Sequence, residues 1–264
     1  MGLFILCASQ GIILKVAMRK LNIKVAIDGT SGSGKSTTAK LVAKKLGLIP
    51  VDTGAMYRAI TLKALRSGVS VHDEAAVVRM AEETEIDQRV IDGVIHTYLD
   101  GEDVSSEIRT PEVSKWVSVV SAYPGVRRRL VELQRKIAER GGVVLEGRDI
   151  GTVVLPDADF KFFMVASLEE RARRRVNELR EKGIHVEFED VLKELKMRDT
   201  LDSSRKDSPL RKAPDAILID TSDLTIDEQV ELIINEIAKR YPEVLEIASE
   251  KGTRKGMETG EADS

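Results

Sequence analysis

The fold of this chain is decided by the stretch Gly29-Thr30-Ser31-Gly32-Ser33-Gly34-Lys35-Ser36. The stretch fits the phosphate-loop pattern Gly-x4-Gly-Lys-Ser, in which backbone N–H groups surround a phosphate and the lysine reaches the outer phosphates. The apolar residues 23–27 before it predict a strand, and residues 37–46 after it predict a helix. The positive end of that helix dipole would face the same phosphate. The motif in this context predicts binding of a nucleoside triphosphate.

The composition indicates a folded α/β protein. A length of 264 residues with 42% hydrophobic content suits one large domain, or one domain with a small insertion. The 41 basic and 44 acidic residues give a net charge of −3, so no overall basic excess points to nucleic acid. The single cysteine, Cys7, excludes an internal disulfide and a zinc knuckle.

No targeting segment is recognisable in the sequence. The apolar residues 2–8 follow no basic residue and are too few to span a bilayer. We therefore expect a cytoplasmic protein without a membrane partner. We also expect a monomer that has no nucleic acid as partner. Residues 1–17 are expected to be dispensable, because Met18 is a more natural start just before the first strand.

Five short apolar runs predict buried parallel strands, and helical patterns separate them. The runs are residues 24–28, 48–52, 143–147, 160–166 and 216–220. This alternation predicts a doubly wound sheet, in which ligands bind at the carboxyl ends of the strands. Acidic residues stand at or near those ends, namely Asp28, Asp52, Glu146 and Asp220.

The alternation is interrupted at residues 86–104. Asp-Gly dipeptides at 92–93 and 100–101 separate short alternating segments, which predicts a small antiparallel meander. Helical patterns flank it at residues 74–83 and 111–122. We interpret this region as an insertion.

The segment after the second strand is a candidate for binding an acceptor. Thr53 is expected to cap the following helix. Arg58 lies about one turn into that helix, where it could face either the crevice or solvent.

A second candidate segment follows the third strand. Glu146 ends an apolar strand, where a Mg²⁺-binding acid is needed, usually through a bound water. Arg148 and Asp149 then leave the strand toward the crevice, and the glycines on both sides favour a close approach of the backbone to a ligand. A structural ion pair is the alternative.

Arginines crowd residues 168–207. Helical spacing puts Arg171, Arg174 and Arg175 near one face. Further along, Arg198, Asp199, Asp202 and Arg205 recur at intervals of three or four. Like charges this close repel unless an anion neutralises them, and guanidinium groups bind phosphate oxygens bidentately. The pattern predicts a lid that closes on the phosphates during transfer. A solvated helix face and an RNA contact are the alternatives.

Together these motifs resemble the bacterial cytidylate kinases. The resemblance rests on the phosphate loop, on residues 52–58 (DTGAMYR), 103–110 (DVSSEIRT) and 146–152 (EGRDIGT), and on the late arginine helix. It extends from about residue 23 to residue 240. It implies a P-loop three-layer α/β fold with a five-stranded parallel sheet, an arginine-rich lid and a small antiparallel β insertion in the monophosphate-binding region. It also implies phosphoryl transfer from ATP to CMP or dCMP.

The resemblance further implies the roles of individual residues. The catalytic residues would be Lys35, Arg148, Arg171 and Arg174. ATP would bind the phosphate loop from Gly29 to Ser36 together with Thr37, and Mg²⁺ would be held by Ser36 and Glu146. CMP would contact Thr53, Tyr57, Arg58, Ser118, Arg127, Arg148, Asp149, Arg198, Asp202 and Arg205.

The chemistry of cytosine fits two of these assignments. A carboxylate such as Asp149 can accept from the N4 amine, and Arg127 can donate to the N3 and O2 acceptors. Uracil reverses the pattern at positions 3 and 4, so the carboxylate would face an oxygen. Mismatches of this kind can discriminate by several powers of ten.

The resulting division of the chain follows its motifs. We expect a core at residues 21–72, 123–167 and 208–245. An extension is expected at 1–20, a monophosphate-binding insertion at 73–122, a lid at 168–207 and a disordered tail at 246–264.

Three other functions compete with this interpretation. Another kinase of the same fold, acting on UMP and CMP, shikimate or gluconate, is the nearest. A regulatory GTPase would require the motifs Asn-Lys-x-Asp and Asp-x-x-Gly, neither of which we find. An RNA-binding module would use the arginine helices and bind with steep salt dependence.

Overall fold

The computed structural model describes residues 21–181 and 183–248. The expected extension at 1–20, including the dispensable residues 1–17, lies outside the described residues. The same holds for most of the expected tail. Residues 243–248 are helical, and Val244 is buried in the core cluster that contains Val25. Val244 belongs to the expected core, and residues 246–248, the first three of the expected tail, continue the same helix.

The strands of the described chain form two separate sheets. They are β1 (Lys24–Gly29), β2 (Ile49–Asp52), β3 (Ile86–Ile91), β4 (Val94–Leu99), β5 (Glu102–Asp103), β6 (Val143–Gly147), β7 (Phe160–Val165) and β8 (Ile217–Asp220). The five-stranded sheet has the order β2-β6-β1-β7-β8, and all of its neighbours are parallel. The predicted parallel sheet is therefore confirmed.

Helices connect these strands. They are α1 (Lys35–Leu46), α2 (Thr53–Arg66), α3 (Glu74–Glu82), α4 (Pro111–Val120), α5 (Pro124–Ala138), α6 (Leu168–Glu181), α7 (Phe188–Ser204) and α8 (Ile226–Ala238). Short turns of 3-10 and π-helix occupy Glu107–Arg109 and Ile150–Val154. No helix within the described ranges combines the length and apolar composition that crossing a membrane requires.

Alternation along β1 produces the three-layer arrangement. Val25 and Ile27 are fully buried on the face that packs against α1 and α8. Ala26, between them, is buried on the opposite face against Val131 of α5. Because successive side chains of a strand point to opposite faces, one apolar run supplies both interfaces.

The second sheet is the predicted meander, with the order β3-β4-β5. β3 and β4 pair antiparallel across the dipeptide Asp92-Gly93. Both residues of that turn have positive φ angles, 51° and 78°, which matches the right-handed twist of a two-residue hairpin. Leu99 at the end of β4 packs into a cluster with Ala59 of α2. The insertion therefore packs against α2, the helix that follows β2.

Candidate active site

Two glycines shape the phosphate loop. Gly29 ends β1 with a φ of +148°, and a Cβ there would lie 1.9 Å from the carbonyl oxygen of Met164 on β7. Gly34 is the N-cap of α1 with a left-handed φ of 91° and supplies no side-chain cap. The N–H groups of the first turn of α1 are therefore left to a ligand, and the helix dipole favours an anion there.

Lys35 is the buried cation of this loop, with 4% of the residue exposed. Its Nζ donates to the carbonyl oxygen of Thr30. Burial and the neighbouring charge of Arg148 lower the pKa of Lys35 to about 7. An anionic ligand would relieve both effects, because it would pair with the buried charge.

Ser36 and Glu146 bring a hydroxyl and a carboxylate together at the sheet edge. Ser36 Oγ donates to Glu146 Oε1 at 2.5 Å. Burial and the nearby carboxylate of Asp52 raise the pKa of Glu146 to about 7. Asp52 is its register partner on β2, so two acids lie side by side at the carboxyl ends of adjacent strands.

One cavity of about 180 Å³ lies at this edge of the sheet. All of the residues that the resemblance assigned to CMP line it. They are Thr53, Tyr57, Arg58, Ser118, Arg127, Arg148, Asp149, Arg198, Asp202 and Arg205. We call it the acceptor cavity.

The deepest charged pair in the acceptor cavity is Arg127 with Asp149. Both side chains are almost fully buried, at 3% and 6% exposure, and Arg127 Nη2 donates to Asp149 Oδ2. The ring of Tyr57 lies 5.5 Å from the guanidinium carbon of Arg127. Burial raises the pKa of Tyr57 to about 12, so its hydroxyl keeps its proton and can donate.

Asp202 links the strand edge to α7. Its Oδ2 accepts from Arg148 Nε at 2.8 Å, and its Oδ1 accepts from Arg205 Nη2. Burial favours the neutral acid, but Arg148 and Arg205 outweigh it and hold the pKa of Asp202 below its usual range. The carboxylate thus holds two guanidinium groups in the wall of the acceptor cavity.

A second cavity of about 670 Å³ lies on the other side of the phosphate loop. Gly34, Thr37 and Arg174 line it, together with residues of α7 and the start of α8. We call it the donor cavity. The two cavities share Ser31, Gly32, Lys35, Ser36, Arg58, Arg109 and Arg198. They therefore meet at the phosphate loop.

Three residues of the phosphate loop that were predicted to bind ATP do not lie on a cavity wall. Gly29 packs against β7 as described, and Ser33 Oγ donates to Thr30 O at 3.0 Å. Neither cavity is lined by Gly29, Thr30 or Ser33. Gly29 and Ser33 therefore stabilise the conformation of the loop.

The two predicted catalytic arginines of α6 differ in position. Arg174 lines the donor cavity and donates to Thr221 O at 2.6 Å. Arg171 lies behind the loop, where it donates to Ser31 O at 3.1 Å and pairs with Asp199 of α7 at 2.7 Å. Arg171 therefore joins the loop to α7.

One local expectation was wrong and one residue was missed. The N-cap of α2 is Asp52, whose Oδ1 accepts from Ala55 N at 2.9 Å. Thr53 is already helical and donates from Oγ1 to Glu146 O at 2.7 Å. Arg109 lines both cavities and donates to Asp52 Oδ2 at 3.1 Å. It lies in the segment 103–110, which carried the resemblance without assigning it a role.

The fold and the paired cavities define the class of P-loop phosphotransferases. Residues 25–239 match the family model described as "Cytidylate kinase". This chain belongs to the cytidylate kinase family.

Several curated relatives agree in length and sequence. A cytidylate kinase of Caldanaerobacter subterraneus subsp. tengcongensis is 59% identical over 84% of this chain and 97% of its own. One of Bacillus licheniformis is 51% identical over 82% and 96%, and one of Desulforamulus reducens 53% over 81% and 96%. Among solved structures, a shikimate kinase of Acinetobacter baumannii is 15% identical with a TM-score of 0.42, covering 84% of this chain and 96% of that one.

Proposed function

We propose that this protein transfers the γ-phosphoryl group of ATP to CMP and dCMP. The observation that carries the proposal is the shared wall of the two cavities, at Lys35 and Ser36. A phosphate bound at the loop would lie between a nucleotide in the donor cavity and an acceptor on the other side. This is the placement that transfer between two bound substrates requires.

On the donor side, the backbone of the loop and the N-terminus of α1 would bind the phosphates of ATP. Lys35 would pair with the outer phosphates. Arg174 would turn from Thr221 to the transferring group, since its guanidinium already lines the donor cavity. Arg171 would act on the same group by holding the loop against α7.

The residues at the sheet edge fit a bound Mg²⁺. The hydroxyl of Ser36 and the carboxylate of Glu146 are hard oxygen ligands, and they lie 2.5 Å apart. Burial and Asp52 raise the pKa of Glu146, and a cation bound beside it would favour its charged form. When bound, the metal would neutralise charge on the β- and γ-phosphates.

On the acceptor side, the roles follow the polarity of CMP. Asp149 would accept from the cytosine amine, and Arg127 and Ser118 would bind the remaining base edge. Asp202 and Arg198 would contact the ribose. The acceptor phosphate would be bound by Arg58, Arg148 and Arg205, beside Thr53 and Tyr57, all of which line one cavity.

The chemistry requires no general base, because the acceptor is already an anionic phosphate. Positioning and electrostatic stabilisation would therefore supply catalysis. Residues 168–207, which contain α6 and α7, would act as a lid that excludes water from ATP. Residues 73–122 would form the monophosphate-binding part, since Arg109 and Ser118 of this segment line the acceptor cavity.

A substrate panel tests the proposal. Purified protein with ATP and Mg²⁺ is offered CMP, dCMP, UMP, AMP, GMP, shikimate and gluconate, and ADP release is measured. We expect CMP and dCMP to give the highest kcat/KM. A preference for UMP, shikimate or gluconate would reject the base-reading assignment and favour another kinase of this fold.

A further inference from the structure

The antiparallel sheet touches the edge of the main sheet through the side chain of Gln88. Gln88 lies on β3, opposite Thr97 of β4. Its Oε1 accepts from the N–H of Asp52 at 3.0 Å, and its Nε2 donates to the carbonyl oxygen of Asp52 at 2.8 Å. One side-chain amide thus binds both backbone groups of a single residue, as a neighbouring strand would.

The position of β2 explains why Asp52 needs such a partner. β2 is an edge strand of the five-stranded sheet, and an edge strand leaves backbone N–H and C=O groups without ladder partners. Asp52 is only 6% exposed, so solvent satisfies these groups poorly. Unpaired buried backbone groups are costly, and Gln88 satisfies both at once.

Asp52 also lines the acceptor cavity and directly precedes α2, which forms part of the cavity wall. Its Oδ1 caps α2, and its Oδ2 accepts from Arg109 Nη2. α2 carries Tyr57 and Arg58, both of which line the acceptor cavity. The position of Asp52 therefore determines where the first turns of this helix, and their side chains, come to lie.

We infer that Gln88 is a positioning residue for the acceptor substrate, acting through Asp52 on Tyr57 and Arg58. The inference rests on the proposed function, because it takes the acceptor cavity to bind CMP. The insertion would then contribute to the acceptor cavity in two ways. It supplies residues of the lining, and its sheet positions α2, which belongs to the core.

Two substitutions test this role. Gln88→Met keeps the length of the side chain and removes both hydrogen bonds to Asp52. Gln88→Asn keeps the amide, but its side chain is one methylene shorter and does not reach Asp52. We expect each to raise the KM for CMP roughly tenfold. The KM for ATP should change less than about twofold. Arg58 and Arg109 also line the donor cavity, but ATP would be bound mainly by the phosphate loop and α1, whose contact with α8 through Thr38 and Gln229 does not involve Asp52.

A matched control lies next to Gln88 on the same strand. Arg89 is exposed and pairs with Asp87 at 2.8 Å, so Arg89→Met should leave both KM values unchanged. A second readout needs no substrate. Hydrogen exchange of the amides at residues 52–57 should be faster in both Gln88 variants than in the wild type and in Arg89→Met.

Three results would overturn the inference: an unchanged KM for CMP, an equal rise in both KM values, or unchanged exchange at residues 52–57. Loss of folding in both Gln88 variants, seen by calorimetry, would also overturn it, because Gln88 would then be a purely structural residue. If the wild type fails to phosphorylate CMP, the proposed function fails, while hydrogen exchange still decides whether Gln88 holds Asp52.

Discussion

Arg127 of α5 and Asp149 after β6 form an ion pair that is almost completely removed from water. The pair lies in the acceptor cavity, beside the ring of Tyr57. Asp149 keeps lone pairs that can accept from a ligand while it binds Arg127. A buried carboxylate with lone pairs left over is suited to accepting a hydrogen bond from an amine.

Asp149→Asn tests this recognition. The amide can still accept from Arg127, but it presents a donor as well as an acceptor to the base. We expect the KM for CMP to rise roughly 10- to 100-fold, the KM for ATP to change little, and UMP to gain relative to CMP. Asp157→Asn, at a carboxylate with 72% exposure, is the control and should match the wild type. Equal losses for ATP and CMP would remove the base-reading role.

Lys35→Ala should lower kcat by roughly 100- to 1000-fold, because the transferring phosphates lose their buried cation. Steady-state turnover of CMP measures the effect, and circular dichroism checks that the fold is kept. Lys45→Ala, in the last turn of the same helix, should behave as the wild type. Near-normal turnover of Lys35→Ala would take the phosphate loop out of the mechanism.

The stability of the protein should depend on pH through Asp28. Burial raises the pKa of Asp28 to about 6, although its two oxygens accept from the N–H groups of Ile150 and Gly151, each at 2.7 Å. Its proton is therefore bound more tightly in the folded state than in the unfolded state. The resulting stabilisation is complete below about pH 4 and is lost as pH rises through about 6.

Asp28→Asn isolates this contribution, because asparagine does not titrate. Urea unfolding of both proteins between pH 4 and pH 7 gives the difference in unfolding free energy, wild type minus variant. That difference should fall with rising pH by up to about 3 kcal/mol, whereas the other carboxylates cancel. A difference that stays constant across this range would show that Asp28 titrates normally.

Gln229 is expected to support the donor side. Its Oε1 accepts from Thr38 Oγ1 at 2.9 Å, and its Nε2 donates to Leu224 O at 3.0 Å. It thereby joins α8 to α1 and lines the donor cavity. Gln229→Met should raise the KM for ATP several-fold, by roughly the effect of one or two hydrogen bonds, and spare the KM for CMP. Glu231→Met, at an exposed position of α8, serves as the control.

The sequence predicted those features that depend on local patterns. The buried strands were visible as apolar runs, and the hairpin between β3 and β4 was marked by Asp92-Gly93. Such turns require positive φ angles that few residues adopt, so a dipeptide is enough to locate them. Thr53, Arg58 and Asp149 were found in motifs that follow strands, whereas the cavity residues on α4, α5 and α7 were implied by the resemblance to a family.

Contacts between distant segments could not be predicted in this way. On an alternating strand of a small sheet, Gln88 has the pattern of a solvent-facing residue, and only the docking of β3 beside β2 reveals its partner. Asp52 and Thr53 both suit an N-cap, and the choice between them depends on where β2 stops pairing with β6. The position of Arg171 depends on how α6 packs over the loop, which helical periodicity does not determine.

The conformation and surroundings of Gly29 limit which residues can replace it. Two independent constraints act on it, a positive φ and a carbonyl oxygen 1.9 Å from where a Cβ would be. Gly68 shares the positive φ, but a Cβ there meets nothing within 4 Å. In a library randomised at both codons and selected for growth, position 68 should recover asparagine and aspartate alongside glycine, whereas survivors at position 29 should all encode glycine.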